Sequence, residues 1–189
     1  MYWIRSIDTA TTMKATLITE SVMLKTKSEL ICALFIAVLL FTGALLQSAN
    51  AYADNGYGKQ KVVYHINYDD PKLQAGALRN IQNHINAVGK DNIEIRVVLH
   101  GNGLALLLEP DSLEKLTKFK HANATEKMTA RIDGLKDQGV SFNVCANTVR
   151  GRKVDMETDL YNVSQGDIVP SGVAEVAKLQ QDGFVYIKP

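Results

Sequence analysis

Residues 61–99 read KVVYHINYDDPKLQAGALRNIQNHINAVGKDNIEIRVVL, and local punctuation divides them into strand, helix and strand. Lys61 to Tyr68 is dense in β-branched and aromatic residues, which favour an extended, pleated backbone. Asp69-Asp70-Pro71 ends that strand and opens a helix. Asp70 offers a capping carboxylate, and Pro71 suits the first helical position, where a missing N–H costs nothing. Leu73, Ala77, Ile81, Ile85 and Val88 then recur every three or four residues, the spacing of one helix face. Gly89 stops the helix, and Ile93 to Leu99 (IEIRVVL) forms a second strand. Strand, helix and strand at these lengths predict a parallel βαβ unit with a right-handed crossover.

The alternation continues toward the C-terminus. His100-Gly101-Asn102-Gly103 closes the second strand. Leu104 to Leu108 (LALLL) is an apolar run without a clear period, broken at Glu109-Pro110-Asp111, and is a candidate for oligomer contacts. Leu113, Leu116 and Phe119 predict a short helix. Asn123-x-x-Glu126 has the form of a capping box and precedes a helix with Met128, Ile132 and Leu135 on its apolar side. Gly139 ends that helix, and Val140 to Ala146 (VSFNVCA) is a third strand. Val154 to Tyr161 predicts a helical turn or two. Ser171 caps a last helix bearing Val173, Val176, Ala177 and Leu179, and Phe184 to Ile187 forms the final strand. Strands interleaved with helices predict an α/β domain with a mainly parallel sheet. No internal repeat or low-complexity tract interrupts it.

Toward the N-terminus the pattern changes. Leu30 to Leu46 (LICALFIAVLLFTGALL) carries no charge, Lys25 and Lys27 precede it, and Gln47-Ser48-Ala49-Asn50-Ala51-Tyr52-Ala53 follows. A basic flank, an apolar run and small residues at alternate positions make a secretory signal peptide. Ala49-x-Ala51 and Ala51-x-Ala53 both satisfy the cleavage rule, so the mature chain is expected to begin at Tyr52 or Asp54. The rival reading is a retained membrane anchor, since the run sits at the short end of a spanning helix. Translation starts at Met1 or at Met23. Residues 1–53 are thus read as an N-terminal extension plus signal peptide and residues 54–189 as the folded domain. The expected location is periplasmic, with no stable membrane anchor after cleavage.

Composition narrows the function classes. The chain has 189 residues, 46% hydrophobic and 22% charged, the balance of a globular protein. Lys+Arg 21 against Asp+Glu 20 gives a net charge of +1, without the clear basic excess a nucleic-acid partner would need, so none is expected. Two cysteines are too few for a disulfide scaffold or a Cys-rich zinc module. Signal cleavage removes Cys32 and leaves Cys145 alone.

In an open parallel sheet, ligands sit beyond the carboxyl ends of the strands. Asn67 to Asp70, His100 to Gly103 and Cys145 to Thr148 reach that edge. An unpaired thiol in an oxidising compartment is either buried and inert or kept for its reactivity. The thiolate is the nucleophile, and nearby cations stabilise it. Arg150, Arg152 and Lys153 follow closely, so a local positive field is expected at Cys145. His100 ends the neighbouring strand and is a candidate general base or ion-pair partner for Cys145. The alternative is a structural histidine bonded to loop backbone. Gly101-Asn102-Gly103 offers backbone N–H groups to an anion or a sulfur adduct, and Asn147 and Arg150 complete the expected pocket lining. The third glycine of a dinucleotide site is absent, as are a phosphate-binding G-x-x-x-x-G-K and a G-x-S-x-G elbow. His65, His84, His100 and His121 show no short-range ligand pair, so no metal and no cofactor are expected. His84, beside Asn80 and Asn83, reads as polar-face or subunit-contact material. Asp69 and Asp70 could hold a cation, but helix capping explains at least one of them more simply.

Four segments carry a family resemblance. They are Ala77-Leu78-Arg79-Asn80-Ile81-x-Asn83-His84, Val97-Val98-Leu99-His100-Gly101, Gly139-Val140-x-Phe142-x-Val144-Cys145-Ala146-Asn147-Thr148, and Ser171-Gly172-Val173-Ala174-Glu175-Val176-Ala177-x-Leu179-Gln180-x-x-Gly183-Phe184. In this order the chain resembles the DsrE/DsrF-like family of sulfur-relay proteins, over about Lys61 to Pro189, in a secreted branch. The resemblance implies a Rossmann-like three-layer α/β domain that assembles into homo-oligomers. It also implies that Cys145 accepts sulfur as a persulfide and passes it on, a sulfurtransferase-like relay between a donor and an acceptor that the sequence does not identify. A second reading keeps the fold and the oligomer but makes the protein a non-catalytic binding module in which Cys145 packs. A third is redox sensing through intermolecular Cys145 disulfides.

Overall fold

The computed structural model describes residues 56–189, so the signal-peptide reading of residues 1–53 lies outside the described residues. Within them five strands form one sheet, in the order β4-β3-β2-β1-β5. The strands are β1 (Gln60–Ile66), β2 (Ile93–Leu99), β3 (Ser141–Cys145), β4 (Ile168–Val169) and β5 (Val185–Ile187). Every pairing is parallel. The helices are α1 (Pro71–Val88), α2 (Glu126–Lys136), α3 (Ala146–Arg152) and α4 (Gly172–Gln181). Among the described residues no helix is long and apolar enough to cross a membrane.

The punctuation around α1 acts as its chemistry dictates. Asp70 Oδ1 accepts the backbone N–H groups of Lys72 at 2.8 Å and Leu73 at 2.9 Å, and the Gly89 N–H closes the other end on Ile85 O. The buried face runs through Gln74, Ala77, Leu78, Ile81, Ile85 and Val88. Leu73, expected on it, is 59% exposed, because the face is centred one residue further along, on Gln74.

Side-chain alternation assigns the layers. Val62, Tyr64 and Ile66 of β1 join Ile95, Val97, Leu99, Phe142 and Val144 under α1 and α2, with Met128, Ile132 and Leu135 contributed by α2. Val63 and Val98 point the opposite way, onto Val176 and Leu179 of α4 and onto Phe184. A sheet apolar on both faces needs a helical layer on each, and this gives the expected three-layer α/β, Rossmann-like arrangement.

Four local expectations are corrected. Leu104 to Leu108 is no oligomer face: the first three residues belong to a 3-10 helix (Gly101–Leu106), and all five are fully buried in the larger core. Full enclosure also explains why the run has no period. Asn123 is not the cap of α2, whose N-cap is Thr125. Its amide is buried and donates to Gln74 Oε1 at 2.7 Å and to Asp69 O at 3.0 Å. Residues 154–161 form turns rather than a helix, with Leu160 bridged to Leu108. Val173 is 65% exposed, because α4 buries only a narrow strip. The two-residue β4, too short to show alternation, has no sequence signature.

Candidate functional site

Cys145 is the last residue of β3 and the N-cap of α3, and it is only 5% exposed. Burial alone pushes its thiol up. Hydrogen bonds from the Gly172 backbone, the Thr148 hydroxyl and the backbone of Thr148 and Asn147 outweigh burial and hold the thiol below its ordinary value. The sulfur thus sits between the starts of α3 and α4. The Gly101 N–H donates to Thr148 Oγ1 at 2.8 Å, which leaves the hydroxyl hydrogen free for the sulfur.

Two glycines make this geometry possible. A Cβ on Gly172 would lie 2.8 Å from His100 Cβ and 3.3 Å from Cys145 Cβ, so only glycine lets α4 begin against both. A Cβ on Gly103 would lie 1.9 Å from Ile66 O, so the loop after β2 can cross the end of β1 only as glycine.

Parallel register decides what shares the Cys145 face. Val98 pairs with Asn143, His65 with Val98, and Tyr186 with Val63. Side chains alternate along a strand, so Tyr186, His65, His100 and Cys145 all lie on the α4 side, at the carboxyl ends of neighbouring strands β5, β1, β2 and β3. The His65 and His100 rings stack, with centroids 4.7 Å apart and planes 25° apart. His65 Nδ1 meets the Tyr186 hydroxyl at 2.9 Å. Nε2 of both histidines is buried without a hydrogen-bond partner. Burial, then His100 and Lys188, lower His65 to about 4. Burial and Lys188 lower His100 as well. At neutral pH both rings are uncharged, so His100 stands beside Cys145 as a neutral imidazole rather than an imidazolium.

The remaining predicted residues are placed as follows. The Gly101 amide is spent on Thr148, and the Gly103 amide donates to His100 O at 3.0 Å, so these two N–H groups hold the loop in place. Asn102 Oδ1 accepts from Arg152 Nη2 at 2.6 Å, and that guanidinium lies 4.2 Å from the Phe119 ring. Arg150 and Asn147 are exposed and bonded to each other through Arg150 Nη2 and Asn147 Oδ1. The groups that lower the Cys145 thiol are hydrogen-bond donors rather than the expected cations. His84 is on the opposite face, satisfied by Tyr64 Oη at 3.0 Å and Gln60 Oε1 at 2.8 Å. Among the described residues no group of three or more His, Cys, Asp or Glu side chains is placed to hold a metal ion.

Thr148, Gly172, His65 and Tyr186 were not singled out as site residues from the sequence. Strand parity held the signal for His65, which stands two residues beyond Val63 as His100 stands two beyond Val98. The other three depend on pairing and helix placement that no local pattern records.

A protein of unknown function from Methanobacterium thermoautotrophicum, MTH1491, has a similar structure, with a TM-score of 0.55 and 27% sequence identity. The match covers 69% of this chain and 100% of that one. Among curated proteins none matches. The DsrE/DsrF-like family model matches residues 60–189, a span that begins with β1 and includes the whole sheet. With its parallel sheet and a cysteine closing β3, the chain belongs to the DsrE/DsrF-like family.

Proposed function

We propose that this protein is a periplasmic sulfur carrier of the sulfurtransferase-like kind, exported by its signal peptide and working as a homo-oligomer. Cys145 accepts sulfane sulfur and holds it as a persulfide until an acceptor removes it. The observation that carries this reading is the hydrogen-bond shell of Cys145. A thiol 5% exposed would ordinarily be held protonated, whereas here donors from two helix starts favour the anion. The same donors suit a terminal persulfide sulfur, which is anionic too. His100 lines the site from the neighbouring strand. Family membership and the hydrogen bonds to the thiol support this reading.

The test is intact-mass analysis of purified protein after incubation with thiosulfate or inorganic polysulfide. The expected result is a gain of about 32 Da, one sulfur atom, mapped to Cys145. A thiol that alkylates readily yet gains no sulfur from either donor overturns the proposal.

The low exposure of Cys145 favours a second reading, a non-catalytic oligomeric binding module in which this cysteine packs. In that case the native thiol resists alkylation, and Cys145→Ser leaves oligomer and ligand binding intact.

A further inference from the structure

The row of side chains beside Cys145 carries more than the cysteine needs to hold sulfur. His65 and His100 each bury an Nε2 with no partner, an arrangement that costs free energy unless a ligand supplies the missing bond. The two rings are stacked, so neither nitrogen satisfies the other. Where the Tyr186 hydroxyl donates to His65 Nδ1, the ring proton sits on the buried Nε2, a donor that then has no acceptor. The Lys188 ammonium lies close enough to act on both rings, which makes this corner electropositive. The start of α4 adds the Gly172 N–H beside the sulfur, and Gly172 packs against His100 and Cys145 together. Two orphan ring nitrogens, a nearby cation and a helix start call for an oxyanion.

We propose that His65 and His100, each protonated on Nε2, form the anion subsite for a small thiosulfonate-class sulfur donor, whose sulfonate oxygens accept from the two Nε2–H groups while its outer sulfur meets Cys145. This rests on the persulfide reading of Cys145 and names the donor class for it. The step balances without a further reactant. The Cys145 thiolate attacks the outer sulfur of thiosulfate, a new S–S bond forms, and the donor's S–S bond breaks with its electron pair leaving on sulfite. The products are a cysteine persulfide anion and sulfite, so charge and sulfur count are conserved. Tyr186 acts as a positioning residue, since it touches His65 and not the reacting sulfur.

Loading rates followed by intact mass test this with two donors, thiosulfate and inorganic polysulfide, of which only the first has sulfonate oxygens. For His65→Gln and for His100→Gln, the ratio of the thiosulfate rate to the polysulfide rate should fall roughly tenfold, the loss of one hydrogen bond to a charged group. An unchanged ratio overturns the subsite. A measurement on intact histidines guards against misfolded variants. In Cys145→Ser, ring-nitrogen NMR should show both Nε2 signals moving saturably with thiosulfate and not with chloride. Signals that stay still overturn it as well. A native chain loaded by polysulfide but never by thiosulfate overturns the subsite alone, whereas one loaded by neither overturns the persulfide reading beneath it.

Discussion

Thr148 decides how the Cys145 sulfur is held, and it does so through a shared hydroxyl. Its oxygen accepts the Gly101 N–H, and its hydrogen goes to the sulfur. Thr148→Val keeps the shape and removes both functions. The Cys145 thiol should then titrate at a higher pH, read from the pH dependence of its alkylation rate. Stability should fall by about 1–3 kcal/mol, because the Gly101 amide is left unpaired in a part-buried loop. An alkylation profile that does not move would remove Thr148 from the site. Cys145 itself was legible from the sequence, as the unpaired thiol at a strand's carboxyl end. Its tuning was not. The nearby arginines suggested a field of cations, but Arg150 points into solvent and binds Asn147, while the groups that act on the sulfur are uncharged. A sequence shows which charges are near along the chain, and hydrogen-bond donors become near only through folding.

The elements themselves were well marked where local chemistry fixes them. Asp70, Pro71, Gly89 and Ser171 bound their helices as their chemistry dictates, and Ile93–Leu99 is the strand that its residues predict. The misreadings share one cause, a polar or apolar residue whose role comes from another element. Asn123 looked like a cap, yet it belongs to a buried network with Gln74, which at 0% exposure ties α1 to two loops. Gln74 Nε2 donates to Tyr68 O at 2.6 Å and to Gly103 O at 3.3 Å, and its Oε1 accepts from Asn123. Gln74→Leu preserves volume but strands two carbonyls and one N–H of the Asn123 amide, whose other N–H stays on Asp69 O, at an expected cost of about 1–3 kcal/mol by urea denaturation. Adding Asn123→Leu should cost less than the two single losses together, since the Gln74–Asn123 bond counted in each is lost only once. Strict additivity would show that the two side chains do not work as one tie.

At the scale of the whole molecule, parallel pairing is what turns separate residues into a site. Tyr186 and His65 are remote in sequence, and His65, His100 and Cys145 stand at the ends of three different strands, yet register brings them onto one face at one edge. Keeping two neutral imidazoles there has a consequence for stability. The unfolded chain protonates His65 as pH falls through its ordinary value of 6.5, whereas the folded chain resists until about 4. Between those values the unfolded state binds more protons at His65, so its contribution makes stability decline as pH falls across the window and levels off below it. His100, lowered in the same direction, adds to the decline. The carboxylates of Asp133, Asp155 and Asp159 are held below their ordinary value of 3.8, so the stability they add begins to be lost at the acid end of this window and is lost mostly below it, alike in the native chain and in His65→Gln. Urea midpoints measured from pH 7 down to pH 4 should therefore fall more steeply for the native chain than for His65→Gln, with the two curves converging in shape below pH 4. Parallel curves throughout would mean that His65 is as easily protonated in the folded molecule as in water, and the stacked pair would lose its standing as a desolvated, neutral donor site.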